Sequence, residues 1–186
     1  RPRVPYSAAI AAHGALIFAL LGRAPEAERW VGVAESFPAS GTLPDGSTVA
    51  GTLAYLRAIM CRDGPAVMRE DAALALKGLS HASPYRAAML HSEAMSWLLV
   101  EDLDRAEVLL DHAYHVAAGF GMEPTAAMVL AAQSLVAAER KEWAAVDSML
   151  KRAVKIVDAG NFDAYWTSAL VFAAAGHSAA RRGDMR

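Results

Sequence analysis

Five short polar turns punctuate the chain at a nearly fixed interval, and that interval limits the fold more than any other feature. They read Gly22-Arg23-Ala24, Arg62-Asp63-Gly64, Glu101-Asp102-Leu103, Lys141-Glu142-Trp143 and Arg182-Gly183-Asp184, with starts 40, 39, 40 and 41 residues apart. The segment after each turn repeats as well. Ala27 and Ala34, Ala106 and Ala113, and Val146 and Ala153 are pairs seven residues apart. Seven residues is two helical turns, so each pair lies on one face and lets a second helix come close. The second repeat is looser, with Met68 and Ala75 as the nearest equivalents. A period of this length marks a unit that cannot bury its apolar face alone and does so by stacking on its neighbours.

Each unit divides into two helices. First helices are expected at Tyr6–Leu21, Ser47–Cys61, Pro84–Val100, Pro124–Arg140 and Asp163–Arg181, and second helices at Ala24–Phe37, Pro65–Leu79, Leu103–Gly119 and Trp143–Ala159. Pro25, Pro65, Pro84 and Pro124 suit a first helical turn, where a missing N–H costs nothing. Ser47, Ser83 and Asp163 are N-cap residue types, and Gly119 and Gly160 suit helix C-termini. No window alternates with period two long enough for a strand. The expected fold is an all-α, right-handed α-solenoid of helix hairpins, one domain over residues 1–186. The longest connection, Pro38 to Gly46, holds two prolines and two glycines and is expected to be a mobile link between repeats. The chain opens on Arg1 and stops at Arg186 just past a turn, so it reads as a fragment of a larger protein.

Composition narrows the function. Hydrophobic residues make up 55% and charged residues 20%, too apolar for a disordered tail. A net charge of −2 gives no electrostatic footprint for nucleic acid. The single cysteine, Cys61, excludes a disulfide framework and a cysteine-based zinc site, and fits a reducing cytoplasm. Val4–Leu21 and Ala164–Ala180 lack Asp, Glu, Lys and Arg, but they are Ala- and Ser-rich, each with a histidine. They read as solenoid helices rather than membrane spans.

Reactive groups lack the partners that chemistry needs. Asp111, His112 and His115 share a helix, yet a catalytic zinc wants three protein ligands and a longer signature. Cys61 stands beside Arg62 at a helix end, where a lone cysteine is usually a small apolar residue. No Gly-x-Ser-x-Gly elbow is present. No metal, no cofactor and no enzymatic activity are expected.

Aligning the first helices on the turn starts gives three columns. One reads Ala12, Thr52, His91, Ala131, Phe172; the next reads Leu16, Leu56, Met95, Leu135, Gly176; the third holds Val49, Ala88, Met128 and Ala169. In a solenoid the first helices line the concave side. The columns are then either packing core or an apolar groove for a small hydrophobic ligand, an amphipathic helix, or another subunit. A groove site would centre on Leu56, His91, Met95, Met128, Leu135 and Phe172.

The hairpins with small residues at fixed offsets, carried by Leu103-Asp104-Arg105-Ala106-Glu107, Asp111-His112-Ala113 and the stretch Trp143 to Ala153, resemble tetratricopeptide repeats. The usual unit there is 34 residues, so a unit near 40 is a departure. Elongated units look like the helical-repeat region of large ATP-binding LuxR-type transcriptional regulators. The resemblance implies a domain that binds an inducer, a regulatory protein or another subunit and biases attached domains. This chain carries neither a Gly-x-x-x-x-Gly-Lys phosphate loop nor a basic recognition helix.

Overall fold

The computed structural model describes residues 8–43 and 45–183. Among these residues nine α-helices follow one another: α1 (Ala8–Leu20), α2 (Ala24–Glu35), α3 (Val49–Met60), α4 (Gly64–Gly78), α5 (Arg86–Leu98), α6 (Leu103–Gly119), α7 (Glu123–Glu139), α8 (Trp143–Gly160) and α9 (Ser168–Arg182). No strand occurs among them beyond an isolated bridge between Thr42 and Thr48. The all-helical expectation holds. The chain divides into two compact units, Arg1–Ser92 and Glu93–Arg186, with the boundary inside α5.

The forty-residue rhythm has a backbone cause. Left-handed residues stand at Gly22, Cys61, Glu101, Lys141 and Gly183, so the intervals are 39, 40, 40 and 42 residues. At Lys141 the amide donates to Ala138 O and the next amide, of Glu142, donates to Ala137 O, both at 2.9 Å. This 5→2 and 6→1 pair closes a helix by satisfying two of its last carbonyls. The same pair recurs at Gly22, Glu101, Gly121 and Asn161. The second repeat departs from it: Cys61 donates back to Arg57 O, and Gly64 supplies a second left-handed residue three positions on. Its looseness in sequence is thus a different turn.

In unit 1, α1 pairs with α2 and α3 with α4, and the hairpins stack through α1 on α3 and α2 on α3. In unit 2, α7 packs against α6, α8 and α9 at once. That explains why α7 is apolar all round, with Thr125 to Ala132 buried without a break. The small-residue pairs lie where expected: Ala27, Ala34, Ala106, Ala113 and Ala153 are fully buried and Val146 nearly so. In the second repeat the column passes through Ala72 and Ala75, both fully buried, while Met68 is partly buried.

Ionic staples link successive hairpins within each unit. Arg62 reaches Glu28 on α2, with Nε donating to Oε1 at 2.7 Å. Arg140 donates to Glu107 and Asp104 of α6, each at 2.7 Å, and Arg182 donates to Asp147 of α8 at 2.6 Å. Exposed pairs such as these set register more than stability.

Several boundary expectations need correction. α9 starts at Ser168, not Asp163, because residues 163–167 form turns fixed by Tyr165 N to Phe162 O (2.9 Å) and Ser168 N to Tyr165 O (3.0 Å). Asp163 is therefore no N-cap. Thr48 rather than Ser47 caps α3, accepting from Gly51 N at 3.0 Å, while Ser47 turns inward. Ser83 caps nothing through its buried Oγ, and Pro84 precedes α5 rather than opening it. Pro25, Pro65 and Pro124 do sit in first turns. Val4, Tyr6 and Asp184 lie outside the described residues.

Candidate functional site

The connection before α3 is the feature that builds a site. Rather than hanging free, it is fastened to the end of α4. Leu43 N bonds Ser47 O and Thr48 N bonds Gly78 O, both at 2.7 Å, and Ser80 N donates to Ser47 Oγ at 3.0 Å. Buried Ser47 is the hub: its amide and hydroxyl donate to the two Asp45 carboxylate oxygens at 3.0 and 2.9 Å. The fastening needs Gly51 and Gly78, whose backbones touch; a Cβ on Gly51 would fall 2.6 Å from Gly78 Cα. The long connection thus ends in a clasp: Leu43 and Asp45 are bonded to Ser47, and Ser47 and Thr48 are bonded to the end of α4.

Under the clasp lies a small pocket of about 20 Å³. α1 contributes Ala12, His13 and Leu16; α3 contributes Thr52, Tyr55 and Leu56; the clasp contributes Leu43, Asp45 and Ser47; Leu79 and Tyr85 close the far side. Ala12, Thr52, Leu16 and Leu56 are the first two members of two columns read from the sequence. The columns therefore serve as core and as pocket wall together, since Ala12 and Leu56 are buried while lining it.

The polar groups are few. The Tyr55 and Tyr85 rings meet with centroids 5.1 Å apart and planes tilted by 42°. Burial, helped by Tyr85, raises the Tyr55 phenol well above its ordinary pKa, so it stays neutral. Thr52 Oγ1 spends its hydrogen on Thr48 O at 3.1 Å. His13 Nδ1 lies 2.8 Å from Ala9 O, and a carbonyl only accepts, so that nitrogen carries the proton.

The six residues singled out from the sequence do not share one surface. Leu56 and Met128 are core residues of units 1 and 2. Leu135 packs half-buried against the core of unit 2, and Met95 is half-buried. Phe172 is exposed, because α9 turns its neighbour Val171 inward; the last turn starts 41 rather than 40 residues after its predecessor, which shifts the alignment by one.

His91 is a different case. Its Nε2 is buried without a hydrogen-bond partner, and burial lowers its pKa to about 4. A histidine depressed from about 6.5 binds its proton more readily when unfolded. Its contribution to stability is therefore complete above pH 6.5 and is lost as the pH falls towards 4. Lowering the pH from 7 to 5 is expected to cost about 1–2 kcal/mol through this group. Thermal melts of wild type and His91→Gln at both pH values check it: the variant should lose less stability on acidification.

Among the described residues no cluster of three or more His, Cys, Asp and Glu side chains is placed to hold a metal ion. His112 and His115 are exposed, and Asp111 accepts from Gln133 at 2.7 Å. Cys61 is half-buried and free. No described helix is long and apolar enough to cross a membrane. No protein-family model matches the chain, and no curated protein matches it in sequence.

Sequence reasoning missed His13, Leu43, Asp45, Tyr55 and Tyr85. Tyr55 carries a usable signal, since it stands three residues after Thr52 on the same helix. The clasp residues carry none, because no helical period extends into a loop.

Proposed function

We propose that the chain is a helical-repeat binding domain whose pocket in unit 1 takes a small, largely apolar ligand. The pocket carries the reading. Two hairpins, a fastened connection and Tyr85 converge on one concavity walled by Leu16, Leu43, Leu56 and Leu79. Ligand sites have this form, apolar walls with a few placed polar groups. A ligand there would touch α1, α3 and the clasp together, and so favour one arrangement of the stacked hairpins over another.

The resemblance to ATP-binding LuxR-type regulators supplies the setting: a sensor or oligomerisation domain of a bacterial, cytoplasmic transcriptional regulator, with the hairpins continuing as a right-handed superhelix. No catalysis and no cofactor belong to this reading. A second reading, a scaffold for a protein partner, is favoured by Tyr165, Trp166 and Phe172, which are 53%, 47% and 45% exposed in unit 2. Exposed aromatic residues are common anchors of protein interfaces.

The test is a thermal-shift screen with small apolar fragments, run on wild type and Thr52→Phe. Phenylalanine at position 52 fills the pocket from α3. Fragments that raise the wild-type melting temperature should leave the variant unmoved. A screen without stabilisers, or equal shifts in both proteins, would refute the pocket.

A further inference from the structure

We propose that the groove between α8 and α9 docks an amphipathic helix of a protein partner, seated as α8 is seated in the hairpin before it. The inference rests on the second reading above and deepens it, and it is independent of the pocket in unit 1. It follows from two grooves that the repeat makes equivalent.

The left-handed residues before α6 and α8, Glu101 and Lys141, stand 40 apart, and those after α7 and α9, Lys141 and Gly183, stand 42 apart. By these offsets Glu107, Gln133 and Arg140, which line the groove between α6 and α7, correspond to Asp147, Ala175 and Arg182, which line the groove between α8 and α9. The ion pairs correspond too, Arg140 donating to Glu107 at 2.7 Å and Arg182 to Asp147 at 2.6 Å. Only the contents differ. Glu142 and Met149, at the start of α8 and within it, also line the first groove, which keeps about 40 Å³. The described lining of the second comes from α8 and α9 alone, and it stands open at about 440 Å³.

Burial points the same way. Val129, Ala132 and Val136 of α7 fall on Val171, Ala174 and Ser178 of α9, and all six are buried. On the adjoining face the match fails. Ala127, Leu130 and Ala131 are buried, whereas their equivalents Ala169, Phe172 and Ala173 are exposed. α7 has α8 as its hairpin partner, and α9 has no such partner among the described residues. The preceding hairpin thus shows what covers a face of this kind, a helix laid along it with apolar side chains in the groove. Charge defines that helix further. The open groove sets Lys151 and Arg182 against Asp147, where the filled one sets Arg140 against Glu107 and Asp111. A carboxylate in the place of Glu142 therefore meets a more cationic wall than Glu142 itself does, and complementary charge fixes register and orientation. The partner's chemistry is an acidic residue at the helix start and an unbranched apolar side chain seven positions on, as Glu142 and Met149 are spaced.

The probe is a fluorescently labelled synthetic peptide of residues 142–160, the α8 sequence with Glu142, titrated into the intact chain and followed by anisotropy. Saturable binding is expected. Phe172→Lys and Gly176→Leu in the protein should each weaken it by about tenfold or more, as loss of a central anchor does. Both positions are exposed and a Cβ at Gly176 meets nothing within 4 Å, so the melting temperatures should stay near wild type. The peptide carrying Met149→Lys should not bind. Equal affinity in wild type and both groove variants would overturn the inference, and so would an absence of saturable binding. Binding lost in Trp166→Ala but kept in both groove variants would overturn the groove while leaving a partner at the exposed aromatic residues. A wild-type chain that sediments as a dimer, beside a monomeric Phe172→Lys, would assign the groove to a second copy and overturn the partner helix.

Discussion

Alanine at Gly51 or at Gly78 is expected to destabilise the protein by about 3 kcal/mol, the upper end for overpacking a closed site. The new methyl would meet backbone and the Thr48 hydroxyl, which is held in place as the cap of α3. From Gly51 it would lie 2.6 Å from Gly78 C and Cα; from Gly78 it would lie 2.5 Å from Gly51 Cα and Thr48 Oγ1. Retreat is blocked because Thr48 N is bonded to Gly78 O at 2.7 Å and Ser80 N to Ser47 Oγ at 3.0 Å. Relief therefore means separating α3 from the end of α4, which loosens the clasp and the pocket beneath it. The two changes should be less than additive when combined, since one separation relieves both. Gly32 on α2 is the control, with nothing within 4 Å of an added methyl, so Gly32→Ala should gain about 0.5–1 kcal/mol. Urea unfolding followed by circular dichroism measures all four. Opposite signs at Gly32 and at the glycine pair are the expected result, and a neutral Gly51→Ala would show that the helices do not approach so closely.

The second large effect concerns Met128. Its side chain is 3% exposed on α7, which is packed on by α6, α8 and α9. Met128→Lys keeps the side chain's bulk but buries an ammonium group with no partner. An unpaired buried charge costs several kcal/mol. Loss of cooperative folding in unit 2 is expected. Phe172→Lys, on an exposed position of the same unit, should change stability by less than about 0.5 kcal/mol. Melting curves of the two variants, measured side by side, distinguish a core column from a solvent-facing groove. A stable Met128→Lys protein would restore Met128 to a groove.

Much of the fold is legible in the sequence, and the reason is local. Helix ends depend on a left-handed residue and the few residues around it, so Glu101, Lys141 and their equivalents place the hairpins without reference to anything distant. The small residues Ala27, Ala34, Ala113 and Ala153 show which face is packed, because close helix approach leaves no room for more. What fails is what long-range geometry decides. Asp163 has the chemistry of an N-cap, but Phe162 and Tyr165 meet edge to face with centroids 5.2 Å apart, and the chain stays in turns until Ser168. Ser47 looks like a cap, yet Ser80 and Asp45 claim its side chain, and Thr48 takes the role. Phe172 stands one residue from the inward position because a single late turn shifts a whole column.

The site is half visible for the same reason. Ala12, Leu16, Thr52 and Leu56 follow the helical period and line the pocket. Leu43 and Asp45, bonded to Ser47, and Tyr85, in the turn before α5, reach it from irregular backbone, where no period exists to be read. Leu135 belongs to the column of Leu16 and Leu56 but to a unit in which α7 is enclosed, so the same residue type packs against core there. Column membership identifies helices that face one another. Whether the space between them is filled depends on the connection, and in unit 1 the clasp shapes it.

The most direct test of the account is a two-dimensional amide NMR titration of the intact chain with a fragment that raises its melting temperature but not that of Thr52→Phe. Binding in the pocket should shift the signals of His13, Thr52, Tyr55 and Tyr85 together with those of Leu43 and Asp45 in the clasp. Signals around Tyr165 and Trp166 should stay in place. Shifts confined to unit 2, or none at saturation, would contradict the claim that this fold binds its ligand beneath the clasp.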